Sequence, residues 1–256
     1  MKSFINFEGQ VALVTGAGSS AGIGFAAAKI LGELGAKVAI TSTTDRIYDR
    51  VRELETLGIT AKGYTADLID RMQVKALVSE VVKDFGRIDV LINNAQASAS
   101  GVPIATHTTE NFDLAMYSGL YATFYYMKAC YPYLKETQGS VINFASGAGL
   151  FGNFGQCSYA AAKEGIRGLS RVAATEWARD GINVNVVCPL AWTAQLEQFE
   201  KAYPEAFKAN VHMPPAGHFG DAELEIGRVC VQLAHPDFKY MNGETLTLEG
   251  GMGLRP

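Results

Sequence analysis

Short apolar runs alternate with longer amphipathic stretches along the chain. The first run covers residues 11–14 and stops at a glycine-rich turn, after which apolar residues recur at helical spacing from Ile23 to Leu34. A second strand pattern begins at Lys37. A strand, a turn, a helix and a second strand within about 30 residues are typical of a βαβ unit. The chain is therefore predicted to open with two parallel strands joined by a helix.

The same rhythm continues to the carboxyl terminus. Further strands are predicted over residues 59–65, 88–92, 140–144, 182–187 and 244–248, and long helices over about 109–135 and 156–178, the first of them bent near Gly119. Seven strands that alternate with helices indicate an α/β fold with a parallel sheet covered on both faces. No linker, repeat or low-complexity tract interrupts the pattern, so residues 1–256 are expected to form a single domain.

Residues 190–220 interrupt this alternation of strands and helices. The stretch is rich in aromatic residues and contains Pro204, Pro214 and Pro215. A segment of this length within a compact domain is usually functional, which favours a substrate lid. The alternative is a surface helical excursion that packs against a partner subunit.

Composition narrows the class of protein. Of 256 residues, 27 are glycine, 48% are hydrophobic and 19% are charged, which excludes disorder, a coiled coil and a disulfide scaffold. The 22 basic and 26 acidic residues leave a net charge of -4, so no nucleic-acid partner is expected. No signal peptide or membrane span is recognisable, no membrane partner is expected, and the four dispersed cysteines suit a reduced, cytoplasmic protein. The four histidines have no ligand spacing, so no metal is expected.

The glycine turn after the first strand is the first candidate binding site. Gly16, Gly18, Gly22 and Gly24 lie where a strand passes into a helix, and such a turn lets the backbone approach a phosphate at the helix amino terminus. The spacing differs from the general G-x-G-x-x-G fingerprint. A turn that binds no ligand is the simpler alternative, although the strand-to-helix context favours a dinucleotide.

Tyr159 and Lys163 are the candidate catalytic pair. They lie one turn apart on a predicted helix and so share a face. An ammonium group beside a phenol lowers its pKa, which would let Tyr159 exchange a proton with a substrate oxygen. Ser146, just after the strand at 140–144, is placed to bind the same oxygen. An ordinary pair of neighbours on a helix surface is the alternative.

Together these motifs resemble the short-chain dehydrogenase/reductase family over essentially the whole chain. The matching pieces, in order, are Thr15-Gly16 with Gly22-Ile23-Gly24, Asp67-Leu68, Asn93-Asn94-Ala95, Ser146, Tyr159 with Lys163, Pro189, and Asn242-Gly243 before Glu249-Gly250-Gly251. The resemblance implies a Rossmann-like, doubly wound seven-stranded sheet, an NAD(P) cofactor and hydride transfer to or from a carbonyl carbon. It also implies a homotetramer built on the two long helices.

The resemblance assigns roles residue by residue. Tyr159 would be the general acid/base, Lys163 would hold the nicotinamide ribose and lower the pKa of Tyr159, and Ser146 would orient the substrate oxygen. Asp67 and Leu68 would face the adenine, Asn94 and Ala95 the ribose, and Pro189 and Thr193 the carboxamide. The expected cofactor-binding residues are Gly16, Ser19, Ser20, Gly22, Ile23, Ser42, Thr43, Thr44, Asp67, Leu68, Asn94, Ala95, Tyr159, Lys163, Pro189 and Thr193.

The chain departs from the family pattern at four places. The glycine turn is two residues longer than usual, Gln96 and Leu190 replace glycines, and Gly119 stands where the family has a catalytic asparagine. That asparagine helps to hold a water in the proton relay. One hypothesis is that Ser118, Tyr117 or an extra water replaces it. The other is that the protein binds nucleotide with impaired or altered catalysis.

The end of the second strand indicates which nicotinamide cofactor is bound. NAD sites place a carboxylate there to bind the ribose 2′-hydroxyl. Here Ser42 occupies that position and is followed by Thr43, Thr44 and Arg46, which suit a 2′-phosphate. Asp45 is instead expected to cap the next helix. NADP(H) is therefore favoured over NAD(H).

The substrate is expected in the crevice above the carboxyl ends of the strands. The candidate lining residues are Gln96, Gly147, Phe151, Phe154, Trp192 and Met213. Their apolar character favours a ketone or secondary alcohol, apolar or cyclic, so the predicted activity is that of an NADP(H)-dependent carbonyl reductase or alcohol dehydrogenase. Reduction of a 3-oxoacyl thioester is the alternative within enzymes.

Overall fold

The computed structural model, which describes residues 5–202 and 204–253, contains one seven-stranded parallel sheet. Its strands are β1 (Val11–Val14), β2 (Lys37–Ser42), β3 (Ala61–Thr65), β4 (Val90–Asn93), β5 (Ser140–Phe144), β6 (Asn183–Pro189) and β7 (Thr245–Leu248). They lie in the order β3-β2-β1-β4-β5-β6-β7, and each neighbouring pair is parallel. The predicted α/β class and doubly wound sheet are confirmed.

Helices connect the strands and cover both faces of the sheet. They are α1 (Ile23–Glu33), α2 (Arg46–Thr56), α3 (Arg71–Phe85), α4 (Thr109–Ala115), α5 (Ala122–Thr137), α6 (Gly147–Phe151), α7 (Cys157–Trp177), α8 (Ala194–Ala202), α9 (Pro204–Asn210) and α10 (Arg228–Ala234). Between these helices and the strands lie short 3₁₀ turns at Ile104–Thr106, Ala178–Asp180 and Pro236–Phe238. π-Helical segments lie at Met116–Tyr121 and Ala222–Gly227. None of the described helices is long and apolar enough to cross a membrane.

Two hydrophobic cores lie on opposite faces of the sheet. Val14 and Ile92 point into the core beneath α1, α2 and α10, whereas Leu13 and Leu91 point into the core beneath α3, α5 and α7. The alternation follows from the two-residue period of a strand. Because β1 and β4 are buried on both faces, β1 is apolar throughout and β4 is apolar up to Asn93. Each fully buried leucine or isoleucine contributes about 1.5–3 kcal/mol.

The topology locates the binding crevice. From β1 the chain proceeds outward to β3 on one side and then returns to β4 on the other side of β1. In open parallel sheets, ligands bind outside the carboxyl ends of the strands at such a switch point. The segments that follow β1, β4, β5 and β6 therefore border the site.

The long helix predicted over 109–135 is divided. It consists of α4, the π-helical segment Met116–Tyr121 and α5, so the predicted irregularity near Gly119 is confirmed. The segment at 190–220 contains α8 and α9, followed by a turn whose Gly220 pairs with Ala191 in an isolated parallel bridge. This pairing holds the two ends of the segment together beside β6.

Candidate active site

The glycine turn lies in direct contact with the end of β4. Gly16 has a φ of +69°, and a Cβ on it would lie 2.7 Å from the Cα of Ala95, so a larger residue does not fit. Thr15 Oγ1 accepts hydrogen bonds from the backbone N–H groups of Asn94 and Ala95, each at 3.1 Å. The Asn94 amide donates to the carbonyl of Gly16 at 3.1 Å. Asn94 thus holds the turn in place, and its predicted ribose contact stays a prediction.

The helix that begins after this turn has a free amino terminus. Gly22 is the N-cap of α1 and has no side chain to accept from the first N–H groups. Such N–H groups and the helix dipole attract phosphate. Ser19 is half-buried and Ser20 is exposed beside this terminus, while Ile23 is buried in the core below it.

The end of β2 presents hydroxyl groups and a guanidinium group to the same turn. Ser42 is buried, and its Oγ accepts from the backbone N–H of Thr44 at 3.1 Å. A Cβ on Gly18 would lie 2.7 Å from Arg46 Nε and 2.8 Å from Ser42 Oγ. Arg46 therefore rests against the glycine turn, and it is exposed together with Thr43 and Thr44.

Asp45 immediately precedes α2, but its side chain makes no capping hydrogen bond. Asp45 therefore holds the predicted N-cap position, but its carboxylate caps no N–H group. The reason lies in the backbone, because Asp45 is already in the helical region, with a φ of -65° and a ψ of -11°, whereas a capping residue is normally extended.

The remaining cofactor candidates also lie at the carboxyl edge of the sheet. Asp67 follows β3, and its carboxylate accepts from the N–H of Ile69 at 3.1 Å. Leu68 packs against the second core. Pro189 is the last residue of β6, and the Thr193 hydroxyl accepts from Leu196 N–H at 3.2 Å at the start of α8.

Ser146, Tyr159 and Lys163 come together above β5. Ser146 follows this strand and is the N-cap of α6, where its Oγ accepts from Ala148 N–H at 3.2 Å. Tyr159 and Lys163 lie one turn apart on α7, and Tyr159 forms a side-chain hydrogen bond with Ser146. Lys163 Nζ donates to the backbone carbonyl of Phe144 at 2.8 Å and lies 5.5 Å from the centre of the Tyr159 ring.

Burial is the main influence on the pKa values of Tyr159 and Lys163. It raises the pKa of Tyr159 above its usual range, while the hydrogen bond with Ser146 acts in the opposite direction. Burial also lowers the pKa of Lys163 to about 7. The net shift of the Tyr159 pKa is therefore upward, and the lowering expected from Lys163 stays a prediction. Removal of both side chains from water is the largest effect on each.

The segment after β6 carries an aromatic cluster. The Trp192 ring packs against Phe219 at 5.4 Å and against Phe207 at 6.2 Å between ring centres. The last two residues were not among the sequence candidates, because only the fold brings α9 and the turn after it back to Trp192. The other substrate candidates Phe151, Phe154 and Met213 have exposed side chains.

Gly147 is enclosed rather than open to the crevice. It is buried, and the carboxylate of Glu249 occupies the space where its Cβ would point. Its predicted substrate contact stays a prediction. Among the residues that the structure describes, no group of three or more His, Cys, Asp or Glu side chains is arranged to hold a metal ion.

Comparisons with known proteins agree with this arrangement. A family model described as enoyl-(acyl carrier protein) reductase matches residues 16–253. A 12alpha-hydroxysteroid dehydrogenase from Clostridium sp. is 63% identical over 98% of this chain and 99% of its own length. The chain belongs to the short-chain dehydrogenase/reductase family. It is accordingly an oxidoreductase that acts on CH–OH or C=O groups, as predicted.

Other members of the family are more distant in sequence but similar in structure. A 3-oxoacyl-acyl-carrier-protein reductase FabG from Vibrio cholerae is 36% identical over 97% of this chain and 99% of its own length. The solved structure of levodione reductase has a TM-score of 0.90 and 31% identity and covers 97% of this chain and 99% of that one. The similarity thus extends over the whole short-chain dehydrogenase/reductase unit.

The two side chains expected to replace the family asparagine are occupied elsewhere. Ser118 Oγ lies 2.6 Å from the Leu114 carbonyl and 2.9 Å from the Ala97 carbonyl, and it accepts from Ala97 N–H at 3.0 Å. Tyr117 is exposed and stacks on Tyr121 at 4.9 Å between ring centres. The structure instead brings the side chain of Gln96 against Gly119.

Proposed function

We propose that this protein is an NADP(H)-dependent dehydrogenase that interconverts a ring ketone and a secondary alcohol on a rigid, steroid-like substrate. The observation that carries the proposal is the 63% identity, over nearly the full length of both chains, to a 12alpha-hydroxysteroid dehydrogenase. The lower identity of 36% to a 3-oxoacyl-acyl-carrier-protein reductase favours the cyclic substrate over a linear thioester.

The residues present fit a nicotinamide dinucleotide. The uncapped start of α1 and the close approach at Gly16 suit its pyrophosphate. Ser19, Ser20 and Gly22 border that position, while Asp67, Leu68, Ala95, Pro189 and Thr193 follow the carboxyl edge of the sheet. When bound, the cofactor supplies or accepts the hydride at its nicotinamide ring.

The chain's own residues manage the proton. In reduction, Tyr159 donates its phenolic proton to the substrate oxygen while Ser146 hydrogen-bonds the same oxygen, since these two side chains already share a hydrogen bond. Lys163, fixed by the Phe144 carbonyl and 5.5 Å from the centre of the Tyr159 ring, would stabilise the resulting phenolate and would hold the cofactor ribose. In oxidation the same proton moves back from the alcohol to Tyr159.

The preference for NADP(H) rests on the groups at the end of β2. The Thr43 and Thr44 hydroxyls and the Arg46 guanidinium are exposed beside Gly18, and Ser42 stands where a carboxylate would bind a ribose 2′-hydroxyl. A 2′-phosphate carries negative charge and is complementary to arginine.

The substrate is proposed to bind beneath the segment at 190–220, which we assign as a lid. Trp192, Phe207 and Phe219 supply an apolar surface on that segment, and Phe151, Phe154 and Met213 are the exposed apolar side chains expected to line the crevice. Such a surface suits a rigid hydrocarbon ring system. The protein is further proposed to act as a cytoplasmic homotetramer.

A panel of ketones tests the activity. NADPH oxidation is measured with ketosteroids that differ in carbonyl position, a small cyclic diketone and a 3-oxoacyl thioester. We expect turnover of a ketosteroid, and we expect Tyr159→Phe to lower kcat by about 10²–10⁴-fold because the general acid is lost. Binding of NADPH, measured by fluorescence, should be nearly unchanged. Tyr240→Phe is the matched control, because Tyr240 is fully exposed.

The other outcomes have clear meanings. Highest kcat/KM with the thioester would replace the steroid-like substrate by the alternative one. Absence of turnover with every ketone, alongside tight NADPH binding, would support a nucleotide-binding protein with impaired catalysis and would contradict the proposal.

A further inference from the structure

Gln96 carries a buried amide whose two polar atoms are both unsatisfied. Neither Oε1 nor Nε2 is open to solvent, and neither has a hydrogen-bond partner among the described residues. Buried polar groups are nearly always paired, with protein or with ordered water, because an unpaired one loses its hydration without compensation. The Gln96 amide therefore lacks a partner that the described residues could supply.

This amide occupies the space that a side chain at position 119 would take. A Cβ built on Gly119 would lie 2.8 Å from Gln96 Cδ and 2.9 Å from both Nε2 and Oε1. The absence of a side chain at Gly119 is what admits the amide. The two residues come from different elements, the loop after β4 and the π-helical segment.

The surroundings enclose the amide next to the catalytic helix. Ser118 fastens the π-helical segment to Ala97, the residue after Gln96. Leu120, the residue after Gly119, packs so tightly on α7 that a Cβ on Gly165 would lie 2.7 Å from its Cδ2. Gly165 lies on the helix that also carries Tyr159 and Lys163. π-Helical turns widen a helix locally and frequently occur at functional sites.

We propose that Gln96 is a positioning residue, whose carboxamide binds a water that passes protons between solvent and the Lys163–Tyr159 pair. This inference rests on the proposed function, because the water matters only if Tyr159 exchanges protons with a substrate. In reduction the phenolic O–H bond of Tyr159 breaks and the substrate oxygen gains that proton. The phenolate then recovers a proton through Lys163 and the water held by Gln96, and solvent replaces the proton taken from that water.

The first test removes the hydrogen-bonding groups but keeps the length of the side chain. Gln96→Met is expected to lower kcat by about 10- to 100-fold, since a misplaced proton-transfer chain costs on this order. It should also shift the pH profile of kcat, while the KM for the ketone and the Kd for NADPH stay close to those of the parent. Gln232→Met, on an exposed face of α10, is the matched control and should leave kcat and its pH profile unchanged.

The second test uses the space that the Gln96 amide shares with any side chain at position 119. In the parent, Gly119→Ala pushes the Gln96 amide aside and is expected to lower kcat about as much as Gln96→Met. In the background of Gln96→Gly the same alanine meets no amide, so it should have little further effect. Gly119→Asn in that background supplies a carboxamide from the opposite side and is expected to recover most of kcat and the parent pH profile.

The outcomes separate this inference from the proposed function. A parent that reduces no ketone defeats the proposed function. The shared space is then tested by thermal unfolding, where Gly119→Ala should lower Tm by a few degrees in the parent and much less beside Gln96→Gly. Equal losses of Tm from Gly119→Ala in the parent and in the Gln96→Gly background would overturn the inference. In an active parent, unchanged kcat in Gln96→Met, a rise of KM alone, or failure of Gly119→Asn to recover kcat beside Gln96→Gly would each overturn the inference.

Discussion

The buried Lys163 ammonium group is the most strongly perturbed charge of the candidate active site. It has one described hydrogen bond, to the Phe144 carbonyl, and burial lowers its pKa to about 7. A lysine in water titrates near 10.5. Near neutral pH the folded protein therefore holds this proton weakly, which suits a group that passes protons on.

The pH dependence of stability should reveal this lysine. Between about pH 7 and 10.5 the unfolded chain binds more protons at Lys163 than the folded one, so its contribution makes stability rise with pH, by up to about 1.4 kcal/mol per pH unit. Lys163→Met should remove this rise. Urea unfolding of parent and variant at several pH values in this window measures it. Parallel curves would contradict the prediction, and Lys75→Met, on an exposed position of α3, is the control.

Arg46 should set the choice between the two cofactors. Because it lies beside Gly18 and Ser42, Arg46→Ala is expected to weaken NADPH binding by about 10-fold or more, the range of a charge-assisted pair, and to leave NADH binding nearly unchanged. Fluorescence titration with both nucleotides measures the two Kd values. Arg52→Ala, also on α2 but paired with Asp49, is the matched control. Equal losses for NADPH and NADH would exclude a 2′-phosphate contact.

At the scale of single residues, the sequence predicted which candidate side chains lie together better than it predicted their contacts with other elements. Ser146, Tyr159 and Lys163 were found because the pair shares a helix face and the serine follows a strand. The contact between Arg46 and Gly18 joins residues 28 positions apart, and that between Gln96 and Gly119 joins residues 23 apart. No local pattern encodes such contacts, since they depend on how separate elements pack.

The π-helical segment Met116–Tyr121 is the element that most affects the site. It departs from the α-helical pattern between α4 and α5 and carries the Ser118 hydroxyl to both backbone groups of Ala97. The loop after β4 is therefore held by a helix turn rather than by its own secondary structure.

Ser118→Ala should loosen this attachment. It leaves the Ala97 N–H without its acceptor in a partly buried place, so we expect a loss of about 1–3 kcal/mol of unfolding free energy together with a lower kcat. Urea unfolding and steady-state kinetics measure the two effects. Ser79→Ala is the control, because that hydroxyl also bonds to the carbonyl four residues earlier, at 3.1 Å, but on an exposed helix face. Equal losses in the two variants would contradict the prediction.

Elements with a strong apolar period were predicted well, and irregular ones were not. The strand expected at 140–144 coincides with β5, whereas the strand expected at 182–187 extends two residues further, to Pro189. The bend near Gly119 was foreseen from the glycine alone. Its π-helical form depends on packing against α7 and the loop after β4, which periodicity does not describe.

At the scale of the whole molecule, an aromatic surface is exposed along α4, the π-helical segment Met116–Tyr121 and α5. Four aromatic side chains are each about two-fifths exposed there, namely Phe112, Tyr117, Tyr121 and Phe124. Tyr126, on α5, lies instead in the core. The tyrosines of this stretch, from Tyr117 to Tyr133, do not all belong to this surface. The structure separates them, because only some point away from the sheet.

We expect this surface to be buried between subunits of the proposed homotetramer. Light scattering is expected to give the mass of four chains for the parent. Charges introduced by Tyr121→Glu and Phe124→Glu together should reduce that mass, because a desolvated carboxylate opposes association. Tyr48→Glu, at a similarly exposed tyrosine on α2, should leave the mass unchanged. A parent that scatters as a single chain would contradict the tetramer.

The close fit between Gln96 and Gly119 also bears on how relatives of this protein are classified. A survey that inspects one aligned column would find no asparagine at position 119 and would count the chain as defective. The volume at that point is nevertheless filled by a carboxamide that arrives from another part of the chain. Because a residue at one position restricts the other, exchanges there should occur as pairs, and mutational libraries that vary either position alone would miss the active combinations.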